Sequence, residues 1–163
     1  IQPGEVAADI GAGSGYFTVR LAAAVGGDGR VIATDIRQEM LDYIGGRLKE
    51  GAIENVDLLK VEPEDPGLPA GEIDTVLMVD VMHYVTDRAG YAKKLKPALA
   101  EGGRVVVIDF RYDPDAEREF APHPEQQVPR TVLDEEMAEA GFEVEKDFDF
   151  LPEQYFVIYR LAG

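Results

Sequence analysis

The 163-residue sequence predicts a doubly wound α/β domain built on a mainly parallel, seven-stranded sheet that ends in an antiparallel hairpin. Three observations carry that expectation. Short apolar runs alternate with segments whose apolar residues recur at helical spacing. The first run breaks into the glycine-rich stretch Gly11-Ala12-Gly13-Ser14-Gly15. The last two runs are separated by Leu151-Pro152-Glu153-Gln154, which is too short for a helical crossover, so those strands should be antiparallel.

Val6 to Ile10 reads as a buried parallel strand, a short apolar run ended by glycine. Residues 16–25 follow as a helix with Phe17, Leu21, Ala24 and Val25 on its apolar side, stopped by Gly26-Gly27. Residues 30–35 form the second strand around Val31, Ile32 and Ala33. Residues 37–50 form a second helix that turns Met40, Leu41, Ile44 and Leu48 inward, with Gly51 past its end. A third strand covers residues 56–61. The prolines and glycines of residues 62–72 make a loop. A fourth strand spans 73–79, and a helix over 87–99 places Tyr91, Leu95 and Leu99 inward. Gly102-Gly103 should turn the chain into a fifth strand at 104–110, whose Val-Val-Val-Ile centre is almost unbroken.

Residues 111–129 are polar and marked by proline, so they form a long surface loop, which in a compact domain is commonly functional. Residues 131–140 make a short helix with Thr131 as N-cap and Gly141 after its end. Residues 142–150 and 155–161 complete the sheet as two strands. No repeat divides the chain, and the expectation is one domain over residues 1–163.

Composition narrows the function. The formal charge of −16 opposes binding to nucleic acid, which needs a basic surface to displace counterions from phosphates. A small, neutral or cationic ligand suits that charge better, and a solvated acidic surface is its plainest structural meaning. No apolar run approaches the roughly 20 residues that span a bilayer. With no cysteine and two histidines, a thiolate nucleophile, a disulfide and a metal centre are not expected. No signal-like segment opens the sequence at Ile1-Gln2-Pro3-Gly4, and a cytoplasmic location is expected.

The glycine stretch lies where the first strand must turn into the first helix. Glycine accepts positive φ there and lets a ligand approach the backbone, while the helix start offers free N–H groups. A dinucleotide loop has the form G-x-G-x-x-G, but here Tyr16 occupies the third-glycine place and Gly15 precedes it. Asp35 closes the second strand some twenty residues on. A carboxylate at the carboxyl end of that strand has two acceptor oxygens, which suit a ribose cis-diol.

Residues 6–17, with Asp9 before Gly11, Gly13 and Gly15, resemble the first motif of the class I S-adenosylmethionine-dependent methyltransferases. The likeness is to small-molecule enzymes of the ubiquinone/menaquinone biosynthesis type, and it extends from Val6 to Arg160. It implies a Rossmann-like fold and S-adenosylmethionine as cofactor. The implied cofactor-binding set is Asp9, Gly11, Ala12, Gly13, Ser14, Gly15 and Tyr16, with Asp35 on the ribose, Ile36 on the adenine and Glu62 at the adenine amino group. Glu64 and Asp65 are looser candidates for that last place. Val79-Asp80-Val81-Met82-His83-Tyr84 resembles the segment beside the sulfonium. Asp80 there is a candidate to bind cofactor or to orient His83. The likeness also implies that helices usually preceding the first strand are missing from this chain.

Methyl transfer from a sulfonium is an in-line displacement that depends mainly on alignment and exclusion of water. A base is required only when the nucleophile must lose a proton. The candidate catalytic residues are His83 as base, Asp80 as its orienting group and Tyr84 as acceptor-pocket wall. His123, Arg111 and Arg130 are secondary candidates for contacts to an acceptor. No Asn/Asp-Pro-Pro-Tyr motif follows the fourth strand, so methylation of a nucleobase or amide nitrogen is not supported. The expected partner is a small-molecule acceptor, and the oligomeric state stays open, a homodimer included. Two other readings stay open: a cofactor-binding but non-catalytic module that acts with a partner chain, and a nicotinamide-dependent oxidoreductase. Tyr16 and the terminal hairpin weigh against the second.

Overall fold

A computed structural model describes residues 1–115 and 121–163. Its strands are β1 (Val6–Ile10), β2 (Arg30–Asp35), β3 (Val56–Lys60), β4 (Ile73–Val79), β5 (Leu99–Phe110), β6 (Phe142–Phe148) and β7 (Gln154–Leu161). They form one sheet in the order β3-β2-β1-β4-β5-β7-β6. The pairs from β3 to β5 are parallel, whereas β7 runs antiparallel to both β5 and β6. The expected mainly parallel sheet with a terminal hairpin is therefore what the chain forms. The last strand inserts between β5 and β6, an order that strand spacing does not reveal.

Helices α1 (Tyr16–Val25), α2 (Gln38–Glu50), α3 (Arg88–Leu95) and α4 (Arg130–Glu139) connect the strands. Two apolar clusters lie on the two faces of the sheet. Ala7, Val31, Leu77 and Val106 meet Leu21, Ala22 and Val25 of α1 on one face. On the other, Ala8, Ile10, Val76, Met78, Val105 and Val107 pack with Tyr91 and Leu95 of α3 and Leu133 and Met137 of α4. The period-two alternation along each strand sends neighbouring residues to opposite clusters, which is why the central strands read as continuous apolar runs. Arg88 of α3 grips Glu136 of α4 with two hydrogen bonds, at 2.5 and 2.9 Å.

Several boundaries differ from expectation for physical reasons. Ala24 is exposed and Thr18 is buried in its place, because the inward stripe of α1 is Thr18, Leu21, Ala22 and Val25. Met40 is only half-buried. The helix expected over 87–99 ends at Leu95; Pro97 lies in a 3₁₀ turn, Lys96–Ala98, and Leu99 already belongs to β5. The glycine pair is a bulge inside β5 rather than a turn before it: Ile73 pairs with Leu99 and Thr75 with Arg104. A Cβ on Gly103 would lie 2.7 Å from the Ile73 carbonyl oxygen, so the strands approach there only because side chain is missing. Helix α4 begins at Arg130 behind Pro129, with no side-chain cap, so Thr131 is not its N-cap. The fixed φ of Pro129 prepares that entry, and Arg130 is held one turn on by Asp134 at 2.8 Å.

The long connection after β5 is partly pinned. Gln127 accepts from the Asp113 N–H at 2.9 Å and donates to the Pro122 carbonyl at 3.0 Å, and a short 3₁₀ turn, Pro124–Gln126, lies beside it. The middle of the expected loop, residues 116–120, lies outside the described residues. Among the described residues no helix is long and apolar enough to cross a membrane.

Two contacts at the start of α1 carry testable consequences. Gly15 holds φ +72°, and a Cβ there would meet Ile44 of α2 at 2.9 Å. Gly15→Ala should therefore lose about 2–4 kcal/mol in urea unfolding, from left-handed strain plus overpacking. Asp9 is buried and accepts from the Thr18 hydroxyl at 2.6 Å. Burial raises its pKa from 3.8 to about 6. The folded chain thus holds this proton more tightly than the unfolded one. The Asp9 contribution is full below about pH 3.8 and is lost as pH rises through about 6, a total of about 3 kcal/mol. Asp9→Asn keeps an acceptor for Thr18 but cannot ionise. It should be more stable than the parent at neutral pH, and the gap should close below about pH 4 in denaturant titrations.

Candidate active site

The strands β1, β2 and β4 end side by side, and the chain turns away from each in a different direction. After β1 it enters the glycine loop, after β2 it reaches Asp35 and Ile36, and after β4 it passes through Asp80 into a 3₁₀ turn, Met82–Tyr84. The crevice left between them has a volume of about 670 Å³. Its walls include Gly11, Gly13, Asp35, Ile36, Glu62, Asp80 and Tyr84. This is the carboxyl end of a parallel sheet at its topological switch point, where ligands of doubly wound folds bind. A second depression of about 650 Å³ lies at the opposite end, where β2 and β3 begin. There the amide of Asn55 is spent on capping α1 through the Ala22 and Gly26 carbonyls.

The glycine loop is shaped for different neighbours at each position. A Cβ on Gly11 would strike Val81 at 2.7 Å, so the loop and the segment after β4 touch. Gly13, at φ +53°, has nothing nearer than 3.9 Å to its would-be Cβ, so it leaves an open cradle in the cleft wall. The loop is held from both sides. The Gly13 N–H donates to Asp35 Oδ2 at 3.0 Å, and Arg47 of α2 donates to the Ser14 carbonyl at 2.6 Å. Asp35 Oδ1 also accepts from the Arg37 N–H at 2.9 Å. Each Asp35 oxygen keeps a further lone pair, so the carboxylate can still accept from two hydroxyls.

The structure gathers Gly11, Gly13, Asp35, Ile36, Glu62, Asp80 and Tyr84 around one cleft, as the sequence reading groups them. Ile36 stands half-exposed on the wall, available to a flat ring. Other expected contacts lie behind or beside it. Asp9 is buried under α1; Ala12, Ser14 and Gly15 shape the loop without lining the cleft. Tyr16 is exposed on α1 beneath the Arg20 guanidinium, 3.5 Å from its ring centroid. Glu64 is not on the cleft wall, and Asp65 pairs back to Glu62.

His83 is the largest departure. Its side chain is 3% exposed, and its Nδ1 lies 2.8 Å from Asp109 Oδ1. The same carboxylate accepts from the His83 N–H at 3.2 Å and from the Phe110 N–H at 2.8 Å. The group that orients His83 is therefore Asp109, not Asp80, and the imidazole is absent from the cleft wall. Tyr84 packs on it at a tilt of 47°, with ring centroids 4.1 Å apart, and is itself 71% exposed on the cleft wall. Asp80 sits at φ +56° and takes a 2.7 Å hydrogen bond from Gln154. Burial, followed by the nearby Asp109 charge, raises the Asp80 pKa, against the Gln154 hydrogen bond and His83, which lower it.

Sequence reasoning missed Arg37, Val81, Val85 and Tyr91 on the wall, and Asp109 and Gln154 behind it. Asp109 had a signal, a lone carboxylate in register with the inward Val105 and Val107. Gln154 had none. Of the secondary candidates, His123 is exposed beside Glu125, and Arg130 is bound to Asp134 and Asp147. Among the described residues no cluster of His, Asp and Glu could hold a metal.

Residues 7–103, more than half of the chain, match the family described as methyltransferase domain. The ubiquinone/menaquinone biosynthesis C-methyltransferase UbiE of Vibrio campbellii is 29% identical over 110 residues, 67% of this chain and 42% of that protein. Its counterpart in Hydrogenovibrio crunogenus is 32% identical over 111 residues, 68% of this chain and 44% of that one. The chain thus spans less than half the length of these curated relatives. The crystal structure of a SAM-dependent methyltransferase from Aquifex aeolicus superposes with a TM-score of 0.90 at 24% identity, covering 99% of this chain and 84% of that one. With the glycine cradle and Asp35 at the switch point, these matches make the chain a member of the class I S-adenosylmethionine-dependent methyltransferases.

Proposed function

We propose that this chain transfers a methyl group from S-adenosylmethionine to a small-molecule acceptor in the cytoplasm. The observation that carries this reading is the junction of Gly13 and Asp35, joined at 3.0 Å on the wall of one cleft. That junction pairs an open backbone cradle with a carboxylate suited to a diol, which is what a nucleoside with a charged tail requires. Asp35 would hold the ribose, Ile36 would cover the adenine, Glu62 would stand at its amino edge, and the glycine loop would face the methionine portion. When bound, the cofactor supplies an electrophilic methyl group on a sulfonium.

The chain's own residues supply alignment and shelter. Tyr84, Val81 and Val85 line the cleft on the side after β4, where they would face an acceptor of modest size. Tyr84 keeps its place because His83 beneath it is fixed by Asp109. His83 acts here as a support rather than as a base, since its side chain is 3% exposed and is not part of the cleft wall. A nucleophile that must lose a proton would find Asp80 as the nearest group on that side. An acceptor that carries no proton to lose needs only the alignment.

The first test is titration calorimetry with S-adenosylmethionine and the intact protein. Saturable binding is expected, weakened about 100-fold in Asp35→Ala, as for two hydrogen bonds to a charged group. No binding by the parent protein would overturn the reading. The second test uses labelled S-adenosylmethionine with a panel of phenols, quinols, amines and thiols. Tyr84→Ala should leave cofactor affinity within about two-fold while slowing methyl transfer more than about ten-fold.

A further inference from the structure

The terminal hairpin touches the cleft wall from behind through Gln154. Gln154, the first residue of β7, lies in register with Phe110 of β5 and extends its amide to Asp80 Oδ1 at 2.7 Å, across 74 residues of sequence. Asp80 itself is partly buried, lines the cleft, and sits in the left-handed region at φ +56°. A non-glycine residue in that conformation persists only where its surroundings hold it. Its backbone is held by the hydrogen bond from the Asp80 N–H to the Ile108 carbonyl at 2.9 Å, and its side chain by Gln154.

The chemistry of the holding group matters. A lysine or arginine at position 154 would orient the carboxylate and also neutralise it. A glutamine amide orients it and leaves its charge in place. Among the described residues the other charged side chains on the cleft wall are Asp35, Glu62 and Arg37, three carboxylates with Asp80 against one guanidinium. Arg37 lies on the Asp35 side, its Nε 3.8 Å from Asp35 Oδ1. No guanidinium or ammonium group among the described residues forms a salt bridge with Asp80, whose charged neighbours are Asp109 and His83.

S-adenosylmethionine and S-adenosylhomocysteine differ by a methyl group and by one unit of positive charge. Resting on the function proposed above, we infer that Gln154 is a positioning residue that aims the Asp80 carboxylate into the cleft, so that the protein favours the cationic donor over its neutral product. Product inhibition is weak as a result. Gln154 touches neither ligand in this arrangement and acts only through Asp80.

A double-mutant cycle read by calorimetry tests this, with both ligands measured on the intact protein at about pH 8, above the ordinary carboxylate range. Asp80→Asn is a fair probe because asparagine tolerates positive φ. It should lower the donor-over-product affinity ratio about ten-fold, as for loss of one nearby charge in a partly screened site. Gln154→Ala should lower the same ratio several-fold, and Gln154→Lys should match Asp80→Asn. In the Asp80→Asn background, Gln154→Ala should leave the ratio unchanged. Thermal melts of each variant identify any that fail to fold, and the lysine and alanine variants then stand in for each other. The inference is overturned if the ratio is the same in the parent and in Asp80→Asn. It is equally overturned if Gln154→Ala weakens both ligands alike, or acts fully without Asp80. Binding of both ligands with an unmoved ratio would leave the methyltransferase reading intact, whereas binding of neither removes both.

Discussion

The pairing of β1 with β2 on one side and β4 on the other is the constraint on which the rest of this molecule depends. Both pairings are parallel, so each needs a crossover, and the two crossovers leave the sheet in opposite directions. The carboxyl ends of three strands then lie together at the topological switch point. Most of the groups proposed to hold the cofactor sit at or just after one of those ends, and Glu62 follows the neighbouring β3. Gly11 and Gly13 follow β1, Asp35 and Ile36 close and follow β2, and Asp80 follows β4. The cleft is a consequence of strand order before it is a consequence of any side chain.

What keeps the cleft open and shaped is a set of contacts that are individually modest. Asp35 ties the glycine loop to β2, Arg47 ties it to α2, and the Gly11–Val81 approach fixes its distance from the segment after β4. Behind Tyr84, Asp109 offers its carboxylate to three N–H groups in a place nearly closed to water. Such a carboxylate is costly to bury unless its hydrogen bonds are made, so its partners become fixed in return. The His83 ring and its turn inherit that rigidity and pass it to Tyr84. The group that the sequence offers as a base is, in the folded chain, buried against Asp109 beneath Tyr84.

The terminal hairpin shows how far an element can act from the place where its sequence suggests. Residues 142–161 read as the closing strands of a sheet, and so they are. Insertion of β7 beside β5 also brings Gln154 to the tip of β4, where it meets Asp80. The same insertion places Tyr155 and Tyr159 in the core against α4, so the hairpin serves stability and the site together.

The sequence by itself determined the α/β alternation, most element boundaries to within a residue or two, the glycine loop and the acid at Asp35. These are local matters: strand and helix periods, glycine's access to positive φ, and the fixed distance from a loop to the next strand end. Its errors were also local in kind. Leu99 and the glycine pair read as helix end and turn, but pairing with Ile73 made them a bulged strand, and Thr131 yielded the helix start to Pro129 and Arg130. Only the tertiary structure decided the strand order, the union of His83 with Asp109, and the reach of Gln154 to Asp80. Those contacts join residues 26 and 74 positions apart, and no periodicity in a chain encodes which of many buried polar groups will meet. Hydrogen-bond pairing in a closed interior is settled by where the packed strands finally lie, because each buried donor must take the acceptor that packing brings to it.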